Sequence, residues 1–359
     1  MTVRTRSALD ELPAYRPGRT PAQVARERGL PAAIKLASNE TVFDPLPGVA
    51  EAIGDALGAV NRYPDFHASA LRGAVAERFD LDPVQIVTGC GSVALCRHVV
   101  EATAEPGGEV VAPAPSFDVY GSAAVIAGAV PVRVPLRDHA LDLDAMADAV
   151  TDRTRLVFVC TPNNPTSTAV RGSALDAFLQ RVPEHVPVVL DEAYQHFVTD
   201  PDPVDGLALT RRHPNVIVLR TFSKAYGLAA LRVGFAGTSV ELAAVLRKVM
   251  LPFAVSTIGE AAAVASLRPS VDAALAERIS RVVAERTRVG AELAALGCPV
   301  PPSQANFHWL PLGERAADFG KGAEERGVIV RAFPGAGVRV TVGAPEENDA
   351  FLKVAAELL

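Results

Sequence analysis

Lysine is scarce in this chain: 359 residues hold only five lysines against 30 arginines. Where a lysine is kept in such a background, an amine rather than a mere positive charge is wanted, because an amine condenses with an aldehyde and a guanidinium does not. Cysteine is also sparse, and the four present (Cys90, Cys96, Cys160 and Cys298) show no C-x-x-C spacing, which argues against a zinc centre or a disulfide framework. Basic blocks are missing and the net charge is −6, so nucleic acid is not the expected partner. No apolar run is long enough to span a bilayer, and the stretch M-T-V-R-T-R-S-A-L-D lacks the apolar core of a signal peptide. A cytoplasmic protein without a membrane partner is expected. Neither internal repeats nor low-complexity segments occur.

What is present is a globular composition, 49% apolar and 21% charged, over a length that suits about two domains. Seven short apolar runs read as strands: Gln85–Thr88, Glu109–Ala112, Val130–Val134, Leu156–Cys160, Val186–Leu190, Val216–Arg220 and Val233–Ala236. Helical stretches alternate with them, at Pro47–Leu57, His67–Arg78, Val93–Ala102, Ser116–Ala127, Leu141–Ala149 and Ser173–Arg181. The strand runs are continuously apolar, which predicts a mostly parallel sheet covered on both faces. From about Pro252 the texture changes to a long helical stretch ending at Leu296. Strands at Ala305–Leu310, Val328–Ala332 and Val338–Val342 and a closing helix from Pro345 follow, an α+β pattern. The expected fold class is α/β. A large domain (46–251) carries a mostly parallel seven-stranded sheet, a smaller C-terminal domain (252–359) follows, and a proline-rich arm (1–45) packs on the latter.

Sheets of this kind bind ligands beyond the carboxyl ends of their strands, and the polar residues there form a pattern. Val216–Arg220 leads into T-F-S-K-A-Y-G-L-A-A-L-R-V-G, residues 221–234, in which Thr221, Ser223 and Arg232 surround Lys224. Hydroxyls and a guanidinium beside one amine make a phosphate cradle next to a nucleophile. Val186–Leu190 leads into Asp191-Glu192-Ala193-Tyr194. A carboxylate just past a buried strand requires a cation or several donors, and a protonated pyridine nitrogen would serve, keeping the ring an electron sink. Tyr194, with Asn164 in T-P-N-N-P-T-S, would donate to a phenolic oxygen on such a ring. T-G-C-G-S-V-A-L, residues 88–95, opens a helix whose free amides at Ser92 and Val93 suit a phosphate, although it does not match a dinucleotide G-x-G-x-x-G fingerprint. Phe117, in P-S-F-D-V-Y, is placed to stack on a planar ring.

This pattern resembles the fold-type I pyridoxal-phosphate aminotransferases, and within them the histidinol-phosphate and aromatic amino acid aminotransferase group. The resemblance spans nearly the whole chain. It runs from K-L-A-S-N-E-T at 35–41 and N-R-Y-P-D at 61–65, through S-K-x-x-G-L-x-x-x-R-x-G, to Q-A-N-F-H-W-L at 304–310 and V-R-V-T-V-G at 338–343. It implies pyridoxal 5'-phosphate held covalently by Lys224, which also moves the proton. Asp191 would face the ring nitrogen, Tyr194 and Asn164 the ring oxygen, and Phe117 the ring face. Ser92, Val93, Thr221, Ser223 and Arg232 would hold the phosphate, with Tyr63 reaching it from a second subunit of a homodimer. Arg339 would bind the substrate carboxylate, with Asn39, Arg331 and Tyr15 as further substrate contacts.

The resemblance implies transamination between amino acids and 2-oxo acids. Ser38-Asn39-Glu40-Thr41 departs from the S-N-E-N common in the histidinol-phosphate branch, and T-P-N-N-P-T-S-T with Q-A-N-F-H-W-L is similar to an actinobacterial aromatic branch. Phenylalanine and tyrosine with 2-oxoglutarate are the expected substrates, and histidinol phosphate is the alternative. A lyase or decarboxylase on the same cofactor, a non-catalytic cofactor-binding regulator and a dinucleotide dehydrogenase are the other possible classes.

Overall fold

The structure, a computed structural model, describes residues 3–10, 12–14 and 18–359. After a short helix, Pro21–Arg28, capped by Thr20 and ended by left-handed Gly29, comes strand β1 (Ile34–Lys35). The central sheet is then built from β2 (Ile86–Cys90), β3 (Glu109–Ala114), β4 (Val130–Pro135), β5 (Thr154–Cys160), β6 (Val188–Asp191), β7 (Val216–Thr221) and β8 (Val233–Gly237). The C-terminal part adds β9 (Phe307–Leu310), β10 (Val328–Ile329), β11 (Arg331–Phe333) and β12 (Gly337–Thr341).

The seven strands lie in the order β2-β8-β7-β6-β5-β3-β4, and β8 alone runs against its neighbours. Continuous apolarity in the central strands has its expected cause. Alternate residues bury into opposite layers: Val157, Val159, Val188, Leu190, Val216 and Val218 into one, Leu156, Phe158, Val189, Ile217 and Leu219 into the other. Each such side chain contributes roughly 1.5–3 kcal/mol when fully buried. Because β2, β3, β5, β6 and β7 point the same way, their carboxyl ends share one edge, and the segments carrying Ser92, Phe117, Asn164, Asp191 and Lys224 all leave from it.

Two elements differ from the sequence expectation. The run Val328–Ala332 is not one strand. Val328–Ile329 pairs in parallel with Ile34–Lys35 of the arm, and after Val330 the chain joins a second sheet, where Arg331–Phe333 pairs with β12. The helical stretch up to Leu296 is also divided, into Thr257–Ala265 and Asp272–Ala295, with Pro269 opening the turn between them. Proline lacks the amide a continuous helix needs there. Helices Pro21–Arg28, Gly206–Leu209, Val240–Val249 and Ala316–Glu325 went unanticipated. Among the described residues no helix is long and apolar enough to cross a membrane.

Candidate active site

A cavity of about 530 Å³ opens at the shared carboxyl edge. It is lined by Ser92, Val93, Phe117, Asn164, Asp191, Tyr194, Thr221, Ser223, Lys224 and Arg232 from the large sheet, and by Asn39, Arg331 and Arg339 from the arm and the small sheet. Of the residues singled out in the sequence, Tyr63 lies outside it, 83% exposed and stacked on Phe253 at 4.7 Å between ring centroids. Tyr15 falls outside the described residues.

Lys224 follows β7 and reaches back across the cavity, donating to the carbonyls of Ser38 (3.2 Å) and Asn39 (3.1 Å). Burial, then the nearby guanidinium of Arg339, lowers its ammonium from the usual 10.5 to about 7. An amine so tuned is neutral, and therefore nucleophilic, at moderate pH.

Asp191 ends β6 and is buried. Its Oδ2 accepts the Tyr120 hydroxyl at 2.7 Å and its Oδ1 the Ala193 amide at 3.2 Å. Burial raises its pKa despite those donors and Lys224. A carboxylate held in that way is underpaid for its desolvation, and a cationic ring nitrogen is the partner that would complete it.

Tyr194 accepts from the amide of Asn39 at 3.0 Å, and burial pushes its phenol up to about 12, so it stays a neutral donor. Asn39 itself is buried in a left-handed conformation (φ 54°) and fastened to Thr341 through its backbone N–H (2.9 Å) and side-chain oxygen (3.2 Å). Arg339 of β12 donates to Asn164 Oδ1 (2.5 Å) and the Ala37 carbonyl (2.6 Å). With its oxygen engaged by Arg339, the Asn164 side chain has its NH₂ as its donor. Arg331 stands directly opposite Arg339 in the β11–β12 ladder, and opposite residues share a face, so two guanidiniums border the cavity side by side.

The anion cradle is built by close backbone approach. Helix Gly91–Thr103 begins without a side-chain cap, leaving the amides of Ser92 and Val93 at its positive end. Gly91 has φ 74°, and a Cβ there would lie 2.5 Å from Arg232 Nη2. A Cβ on Gly234 would meet the Ser92 nitrogen at 2.8 Å. Thr221 Oγ1 donates to Ser223 Oγ (2.9 Å), to which Arg232 also donates (3.4 Å). Amides, two hydroxyls and a guanidinium around one point fit a phosphate. The residues present therefore suit a phosphorylated pyridine aldehyde: an anion cradle at one end, a cation-seeking carboxylate at the other, and the amine between them.

Sequence reasoning missed Tyr120, whose hydroxyl reaches Asp191 across 71 positions. It also missed Thr341, the anchor of Asn39. Tyr120 falls three residues after Phe117 in a helical stretch, a spacing that puts both on one face, and that was the available signal.

The sequence profile of the family described as aminotransferase class I and II matches residues 31–354. An aromatic amino acid aminotransferase of Mycobacteroides abscessus is 52% identical over 353 residues, covering 98% of each chain. One of Thermobifida fusca is 54% identical over 350 residues, covering 98% of this chain and 96% of that one. The crystal structure of histidinol-phosphate aminotransferase from Sinorhizobium meliloti, in complex with pyridoxal-5'-phosphate, superposes with a TM-score of 0.89 at 29% identity, over 100% of this chain and 98% of that one. The chain belongs to the class I and II aminotransferases.

Proposed function

We propose that this protein is a pyridoxal-phosphate-dependent aminotransferase that exchanges an amino group between aromatic amino acids, phenylalanine or tyrosine, and 2-oxoglutarate. The observation that carries the reading is that Lys224, whose amine burial lowers to about 7, shares one cavity with Ser92, Thr221, Ser223, Arg232 and Arg339, groups suited to a phosphate and a carboxylate. Identity of 52–54% over nearly the full length to relatives named for aromatic amino acids supports the substrate class.

When bound, the cofactor supplies an electron-accepting ring and an aldehyde that carries the amino group. Asp191 would face the ring nitrogen, Tyr194 and Asn164 the ring oxygen, Phe117 the ring face. Ser92, Val93, Thr221, Ser223 and Arg232 would hold the phosphate. Lys224 Nζ would hold the cofactor and, once freed by the incoming substrate amine, would carry a proton between the substrate α-carbon and the cofactor's C4′ position. Arg339, whose guanidinium has five N–H donors, would grip the α-carboxylate with two of them, helped by Asn39. Arg331, alongside it, would meet the distal carboxylate of 2-oxoglutarate, and Phe117, Phe333, Ile329 and Val330 offer an apolar surface to an aromatic side chain.

The same reading includes a homodimer in which Tyr63 reaches the partner's phosphate. Tyr63, Phe253 and Phe66 form an exposed aromatic group, beside exposed Leu57, Val60 and Leu251, and such a patch suits an interface. Division into an arm (1–45), a large unit (46–251) and a small unit (252–359) belongs to it also. Pairing of Ile34–Lys35 with Val328–Ile329 supports the arm's attachment to the small unit. Four unpaired cysteines suit the cytoplasm.

A second reading, histidinol-phosphate aminotransferase, draws on Arg331, which would equally meet a phosphate, and on the Sinorhizobium structure. Steady-state comparison decides between them. The aromatic reading predicts a kcat/KM for L-phenylalanine at least about tenfold above that for histidinol phosphate, a difference of 1.4 kcal/mol in transition-state binding. The reverse order overturns it, and carbon dioxide as the main product would point to a decarboxylase.

A further inference from the structure

We propose that Tyr120 is the positioning residue for Asp191: its hydroxyl fixes the carboxylate in the orientation needed to meet the ring nitrogen and keeps it a carboxylate. This rests on the functional reading above. Tyr120 is fully buried in the first turn of helix Val119–Ala127 and donates to Asp191 Oδ2 at 2.7 Å. The other carboxylate oxygen accepts the Ala193 amide. With one donor on each oxygen, tilting the carboxylate plane out of this orientation breaks both bonds.

The donor is itself held. Its ring stacks on Phe158 of β5, centroids 4.3 Å apart and 14° between planes, and meets Phe117 edge-on at 5.7 Å. Phe117 lines the cavity where the ring face would rest. A single aromatic block thus sets both the surface that faces the ring and the carboxylate that faces its nitrogen, which coordinates two contacts drawn from strands β3 and β6. A phenol suits the task because it can give a proton to the hydrogen bond without carrying charge. Burial, with Asp191 beside it, pushes the Tyr120 pKa well up, so the hydroxyl stays a donor. A cationic donor in its place would neutralise the carboxylate and weaken its hold on a pyridinium.

The test is a double-mutant cycle read by cofactor affinity rather than activity. Tyr120→Phe removes one oxygen and keeps the ring packing, and Asp191→Asn removes the charge that Tyr120 would act on. The dissociation constant of pyridoxal 5'-phosphate is measured by equilibrium dialysis for wild type, both single variants and the double variant, each checked for folding by circular dichroism. Tyr120→Phe should weaken binding roughly tenfold in the wild-type background, as expected for a hydrogen bond to a charged group, and less than about twofold in the Asp191→Asn background. Equal losses in both backgrounds, or none in either, would overturn the role of Tyr120. Wild-type protein that binds no pyridoxal phosphate at Lys224 would instead defeat the functional reading itself.

Discussion

Lys224 is the residue on which the proposed chemistry turns, and its setting explains how a lysine would become a nucleophile near neutrality. Burial and Arg339 both disfavour the ammonium, while Glu40 and Asp191 favour it too weakly to restore the ordinary value. Since the folded state releases this proton more easily than the unfolded chain, the unfolded chain binds the extra proton between about 7 and 10.5, and the group adds stability as pH rises across that window. In the cofactor-free protein, the rate at which Lys224 is captured by an aldehyde should climb with pH and level off just above 7; continued growth beyond pH 9 would show an unperturbed amine. Scarcity of lysine and the hydroxyls around position 224 pointed to this residue from the sequence. Its depressed proton affinity was not visible there, because Arg339 is 115 positions away (339 minus 224) and approaches only through the fold.

At the scale of elements, the strands were readable because both faces are buried, which leaves runs such as Val216-Ile217-Val218-Leu219 uniformly apolar. Misreadings came where pairing is non-local. Val328–Ala332 has one texture but two partners, and nothing within the run announces that its first half pairs with Ile34–Lys35. The break near Pro269 was local and carried its own signal. The helix start at Gly91 shows how an element makes a site. Its positive φ and the nearness of Arg232 leave no room for a side chain. Gly91→Ala should cost about 1–2 kcal/mol of backbone strain and push Arg232 aside. Cofactor affinity should fall at least about tenfold, more than the loss of a few degrees in thermal midpoint would suggest. A variant that binds the cofactor as tightly as wild type would mean that the cradle does not hold the phosphate.

For the whole molecule, the cavity at the carboxyl edge of the large sheet is also lined by Arg339 of β12, which belongs to the three-stranded sheet, so residues of both sheets build it. The proposed homodimer adds one further expectation. Light scattering should give a dimer, and Tyr63→Ala should raise the cofactor dissociation constant several-fold without changing the fold of the subunit; a monomer with full cofactor affinity would remove Tyr63 from the site. The most direct measurement is borohydride trapping of the pyridoxal-phosphate-loaded protein followed by peptide mapping. A pyridoxyl adduct confined to Lys224 is predicted; an adduct on another residue, or none, would contradict the account.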